Sequence, residues 1–190
     1  MSKLISINVA AAQTLRCLDG QEVRSGIAKR PIHGPVALNP MGLAGDEQVD
    51  LSVHGGLSKA VYAYPQEHYA FWQTVRAQAG AAAWGETLPP GSLGENLTLA
   101  GLLESQVWVG DVLRFAAAEL IVSEPRQPCF KFNAVMGFSK AAKLMSESGW
   151  CGFYLAVKTA GRLQAGEGFK LLPGPREVSV SELFRSRMRR

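Results

Sequence analysis

Apolar positions along the chain fall into short segments separated by glycine and proline, a spacing that favours strands over helices. Residues Leu4–Val9 alternate, with Leu4, Ser6 and Asn8 on one side and Ile5, Ile7 and Val9 on the other, the pattern of a half-buried strand. Val107–Phe115 and Glu119–Ser123 read as a strand pair, with Gly110-Asp111 as a turn or bulge. Gly152–Lys158 and Gly168–Leu172 read as two more strands, with turn signals at Ala160-Gly161 and Ala165-Gly166 between them. Two segments carry helical spacing instead. Pro65–Ala82 places Tyr69, Trp72, Val75 and Ala79 on one face, and Ser139–Ser148 does the same with Ala141, Ala142, Leu144 and Met145 before Gly149 closes it. Ala81–Leu93 reads as a long exposed loop, and Val178–Phe184 as a short amphipathic piece after Pro173-Gly174-Pro175. Many short strands with few helices predict a mostly β fold, a barrel with a few flanking helices.

Composition narrows the class. The 190 residues are 47% hydrophobic and 19% charged, enough to bury a core and too apolar for disorder. A single domain over 1–175 is expected, with its core at about 27–173 and a short basic tail over 176–190. Uncharged stretches fall short of the ~20 residues that cross a bilayer. Polar Ser6, Asn8 and Gln13 interrupt the first apolar run, so a cytoplasmic location without a membrane partner is expected. The net charge of +4 comes from Arg185, Arg187, Arg189 and Arg190, because the remaining Lys and Arg balance the 16 Asp and Glu. A neutral body with a basic arm does not make a nucleic-acid face. Three cysteines at wide spacing form no disulfide framework and suit a reducing compartment.

Three segments gather polar residues among glycines and prolines. Gly42–Lys59 groups Asp46, Gln48, Asp50, His54 and Lys59 around Gly45, Gly55 and Gly56, where the backbone can approach a ligand closely. The same residues also suit a solvated turn capped by His54. Gly94-Glu95-Asn96 reads either as a tight turn or as a set of donors and acceptors. In Pro125–Lys131 two prolines stiffen the backbone and deny it regular structure, while Arg126 and Lys131 bracket Cys129 with positive charge that favours its thiolate. Cys17 and Cys151 lack this setting and read as packing residues. A thiolate without an adjacent fixed base suits a metal-bearing cofactor better than a Cys/His nucleophile.

GDEQVDLSVHGG, KAVYAYPQEHYAFW, GENLT, VWVGD and PRQPCFKFN, in this order and spacing, resemble MOSC-domain proteins of the bacterial YiiM type from about Ile27 to about Leu183. The resemblance implies a MOSC-type β-barrel that binds a molybdenum–pterin cofactor (Mo-molybdopterin), with Cys129 as the metal ligand. It also implies reduction of N-hydroxylated compounds such as N-hydroxylated purine bases, a detoxifying N–OH to N–H conversion. Electrons would come from a separate flavin- or haem-containing partner. The alternative is a molybdenum-cofactor or sulfur carrier without turnover. On this resemblance Lys29 and Lys59 are expected at the pterin phosphate, with Arg126 and Lys131 balancing the thiolate and cofactor charge. His54, Gly55 and Gly56 would hold the pterin or its phosphate, with His54 also placed to orient substrate or carry a proton. Asp46, Gln48, Glu95 and Asn96 are expected to meet ring edges or substrate. Members of this type that are longer continue into a helical extension, of which Val178–Arg190 resembles only the beginning.

Overall fold

In the computed structural model, which describes residues 2–49, 51 and 55–189, strand and loop dominate. The first half contributes β1 (Lys3–Val9), β2 (Gln13–Arg16), β3 (Glu22–Ser25), β4 (Arg30–Ile32), β5 (Val36–Asn39), β6 (Gly42–Leu43), β7 (Val61–Pro65) and α1 (Tyr69–Gln78). The second contributes β8 (Leu97–Ala100), β9 (Val112–Arg114), β10 (Glu119–Pro125), α2 (Phe130–Met136), α3 (Ala141–Ser148), β11 (Phe153–Thr159), β12 (Gly161–Leu163), β13 (Lys170–Leu172) and α4 (Val180–Met188).

Eight strands form one sheet in the order β13-β9-β10-β11-β7-β8-β1-β4, beside a three-stranded sheet β12-β5-β6 and the hairpin β2-β3. All pairings are antiparallel except β7 with β8. The mostly β expectation holds, but the sheets are open and do not close into the expected barrel. The start of β1 meets the segment before β13 at an isolated Lys3–Gly168 bridge, flanked by backbone hydrogen bonds of Leu4 with Gly166 and Glu167 and of Phe169 with Ser2, without a regular ladder. Closure needs continuous pairing all round. Here the edge strands β4 and β13 are three residues long, and the remaining strands are drawn off into two smaller sheets.

β1 departs from simple alternation. A register shift between Leu4 and Ser6 lets Ser6 and Asn8 turn inward, where Asn8 is fully buried. Its amide is satisfied by the Glu95 carbonyl and the Thr98 hydroxyl, so burial costs no lost hydrogen bond. α1 starts later than the apolar spacing suggests, because Val61–Pro65 is a fully buried strand and Gln66–His68 a single 3-10 turn. Trp72 is wholly buried and donates its indole N–H to the Tyr64 hydroxyl at 2.6 Å. α2 forms directly after the prolines of Pro125–Pro128, with Cys129 as its N-cap residue and Gly137 in the left-handed region closing it. The C-terminal piece is longer than expected. α4 carries a Ser179/Glu182 capping box and buries Val180 and Phe184 completely, while Arg187 reaches Glu124 on β10 at 2.6 Å.

Candidate functional site

The loops at one end of β7, β10 and β11 enclose a cleft, part of it open to solvent. One wall comes from the irregular segment after β10, where Arg126 and Cys129 face inward and Lys131 follows on α2. Opposite lie Ser25, Gly26, Ile27 and Lys29 from the stretch after β3, with Asp46, Gln48 and Val49 beyond β6. Tyr62 and Tyr154, cross-strand neighbours on β7 and β11, form the floor together with Lys59 and Asn96.

Arg126 is buried, and its Nη1 donates to the Leu93 carbonyl at 2.7 Å and the Tyr62 hydroxyl at 3.3 Å. The guanidinium lies 4.8 Å from the Tyr62 ring centroid and 5.0 Å from that of Phe132, so two aromatic faces fix its plane. Burial opposes its charge, but Tyr62, Tyr154 and Cys129 outweigh burial and raise its pKa further. A permanent cation therefore stands in the field of the half-buried Cys129 thiol. Burial holds Tyr62 well above the usual phenol range and pushes Tyr154 up to about 12, against the pull of Arg126. Both are phenols at neutral pH.

Lys29 and Asp46 form an ion pair at 2.5 Å, their side chains only 8% and 5% exposed. Asp46 also accepts from the Ala10 amide and the Asn96 side chain, both at 2.9 Å. Burial pulls the Lys29 pKa down, and Asp46 works against that pull. Lys59 lies 3.8 Å from Glu124 and 5.8 Å from the centre of the Tyr154 ring.

The structure thus brings together Lys29, Asp46, Gln48, Lys59, Asn96, Arg126, Cys129 and Lys131. Others that the sequence marked stand apart from the cleft. Glu95 is fully buried and accepts from the Gly91 amide at 2.8 Å, the Leu93 amide at 3.1 Å and the hydroxyls of Tyr69 and Thr98. Burial raises its pKa against the pull of the Tyr69, Gly91 and Thr98 donors. Its carboxyl shapes the turn that positions Leu93 under Arg126. Asn96 touches the cleft, but its side chain is spent on the Tyr62 amide, the Asn8 carbonyl and Asp46. Gly56 donates its amide to Gln48, and a Cβ on Gly55 would come within 2.6 Å of the same side-chain oxygen, so both glycines shape the loop behind the cleft. Asp50 and His54 lie outside the described residues. Ser25, Tyr62 and Tyr154 were not picked out from the sequence. Both tyrosines sit in continuously apolar, buried runs, and nothing local tells which end of the sheet carries a cleft.

Cations and one thiol converge on this cleft, a charge balance that suits an anionic ligand. Among the described residues no three His, Cys, Asp or Glu side chains are grouped to hold a metal ion. A metal here would take Cys129 as a ligand and draw its others from the ligand that carries it. Residues 50–170 match the family model of the MOSC domain. The chain belongs to the MOSC-domain family. It is 39% identical over 178 residues to the uncharacterized protein YflK of Bacillus subtilis, covering 93% of this chain and 76% of that one. To protein YiiM of Escherichia coli it is 37% identical over 158 residues, covering 83% of this chain and 68% of YiiM. A Gibberella moniliformis protein named reductase is 31% identical over 90% of this MOSC chain, which spans 30% of the fungal protein. The crystal structure of YiiM from Geobacillus stearothermophilus superposes with a TM-score of 0.78 at 30% identity, covering 99% of this chain and 84% of that one. Among the described residues no helix of this MOSC protein is long and apolar enough to cross a membrane.

Proposed function

We propose that this MOSC protein is an oxidoreductase that reduces N-hydroxylated compounds at a molybdenum–pterin cofactor ligated by Cys129. The observation that carries the reading is the placement of the Cys129 thiol beside a buried, permanently charged Arg126 in a cleft that also receives Lys29, Lys59 and Lys131. A soft thiolate suits molybdenum, and the cations suit the phosphate and ene-dithiolate charge of such a cofactor. The match to a fungal reductase supports redox chemistry over a carrier role. When bound, the cofactor would supply the two-electron redox chemistry.

The chain's own residues do the rest. Arg126 sets a permanent positive charge beside Cys129, a field that favours a thiolate ligand. Lys59 and Lys131 neutralise phosphate, and the Lys29–Asp46 pair fixes the wall without adding net charge. Tyr62 donates to the Cys151 carbonyl at 2.8 Å and so ties the strand ends together beneath the cofactor. The reaction balances as R–NHOH plus two electrons and two protons giving R–NH2 plus water, the N–O bond breaking and an N–H bond forming. A flavin- or haem-containing protein is the proposed electron donor. Stopped-flow mixing of dye-reduced, cofactor-loaded protein with an N-hydroxylated purine base tests this reading. Reoxidation coupled stoichiometrically to formation of the amino base supports it. Reduced protein that persists in excess substrate overturns it in favour of a carrier.

A further inference from the structure

The polar groups on the cleft wall differ in how much bonding capacity the fold has already used. Tyr62 gives its proton to Cys151 and receives Arg126. Gln48 is spent on the carbonyls of Met41 and Ala60 and on the Gly56 amide. Asn96 is likewise saturated, and the Ser25 hydroxyl accepts the Ile27 amide of its own loop. Ser25 keeps its own proton, whereas Tyr154 is uncommitted to the described residues as donor and acceptor alike. Its ring is 7% exposed and held by the Tyr62 ring at 5.4 Å, yet its hydroxyl makes no hydrogen bond to any described residue. Nor is that oxygen among the sealed, unpaired polar atoms, so it opens into the cleft.

A rigid phenol aimed into a partly desolvated cleft, with its donor uncommitted, is built to meet a ligand oxygen. The Lys59 ammonium, 5.8 Å from the ring centre, draws electron density from the phenol and strengthens it as a donor. Lys131, a cleft cation with no ion pair to a described residue, is a point charge suited to phosphate. A neutral N-hydroxyl oxygen, which gains negative character as the N–O bond breaks, is better served by a neutral, fixed donor.

Resting on the reductase reading, we propose that the Tyr154 hydroxyl donates a hydrogen bond to the oxygen of the substrate's N–OH group and stabilises it as it leaves nitrogen. Tyr154 is thereby a catalytic residue of the substrate side, on the floor of the cleft. Tyr154→Phe keeps the ring, its packing on Tyr62 and the Lys59 contact, and removes only the donor. The experiment measures steady-state reduction of an N-hydroxylated purine base by the full-length, cofactor-loaded protein, with a reduced viologen as electron source. Molybdenum and pterin are quantified per chain in both proteins.

The expected result is a fall in kcat of about 100-fold, the loss typical of one such donor, with KM within ~3-fold and cofactor content unchanged. A kcat within ~3-fold of wild type overturns the proposal, because a donor in the transition state cannot be so cheaply lost. So does a loss that tracks cofactor content, which would make Tyr154 part of the cofactor cradle. Cofactor-replete wild type that fails to turn over sinks the reductase reading itself, and this inference with it. An active wild type beside an unaffected Tyr154→Phe sinks this inference alone.

Discussion

Asp46→Asn tests the idea that the cleft wall is stabilised by a buried, mutually dependent ion pair. The substitution preserves shape and an acceptor for the Ala10 amide, but strips the negative charge from beside the buried Lys29 ammonium. Removing one partner of a buried pair typically costs about 3–5 kcal/mol, because the other charge is left uncompensated. Lys29 has an escape route in deprotonation. From its ordinary value of 10.5, neutralising it at pH 7 costs about 4.8 kcal/mol at ~1.36 kcal/mol per unit, which caps the penalty. The pH dependence carries the sharper signal. With its folded pKa below 10.5, native Lys29 releases its proton before unfolded Lys29 does, so this group makes stability rise with pH between the two values. Removing Asp46 lowers the folded pKa further and opens that window at lower pH. The destabilisation of Asp46→Asn therefore shrinks from pH 7 to pH 9, by up to about 2.7 kcal/mol. Urea unfolding at both pH values, with Lys29→Met/Asp46→Asn as the compensated control, reads this directly. A penalty below about 1 kcal/mol at pH 7, or one unchanged at pH 9, refutes the account.

Two other substitutions separate roles that sequence alone confuses. Glu95→Ala orphans the Gly91 and Leu93 amides and is expected to cost about 3 kcal/mol by chemical denaturation. Cofactor content per folded molecule is expected to stay at the wild-type level, and a selective loss of cofactor would return Glu95 to the binding site. Phe184→Ala, deleting a side chain 1% exposed at the junction of α4 with the sheet, is expected to cost about 3–5 kcal/mol. An unchanged thermal midpoint would mean that α4 is not integral to the fold.

Local chemistry was readable where it was local. Arg126, Cys129 and Lys131 sit within six residues, and the two prolines that stiffen the segment bring all three to one cleft wall. Glu95 and Asn96 were harder to place for the opposite reason: one turns away from the cleft, and the other lines it with its side chain committed elsewhere. Gly94-Glu95-Asn96 left a turn and a ligand-facing set both open, and the amides that claim Glu95 sit two and four residues earlier, where Pro90-Gly91 signals a turn but not what it binds. Asn8, 88 residues from Asn96, takes part of the other. The prolines that marked Pro125–Pro128 as irregular concealed that Cys129 caps a helix starting at the next residue. Barrel closure was illegible because it depends on which distant edges pair, and strands of three residues carry too little pattern to say. The hairpin β2-β3 was missed for a related reason: seven of its eight residues stay out of the core, so no apolar stripe announces it.

The central claim is that Cys129 binds molybdenum delivered by a pterin. Metal analysis and pterin release, per chain, on anaerobically purified protein from a cofactor-producing host, with Cys129→Ser in parallel, address it most directly. The account predicts about one molybdenum and one pterin per wild-type chain, and metal lost from the serine variant, whose harder oxygen is a poorer ligand for it. Equal molybdenum in both proteins, or none in a folded wild type, would contradict it.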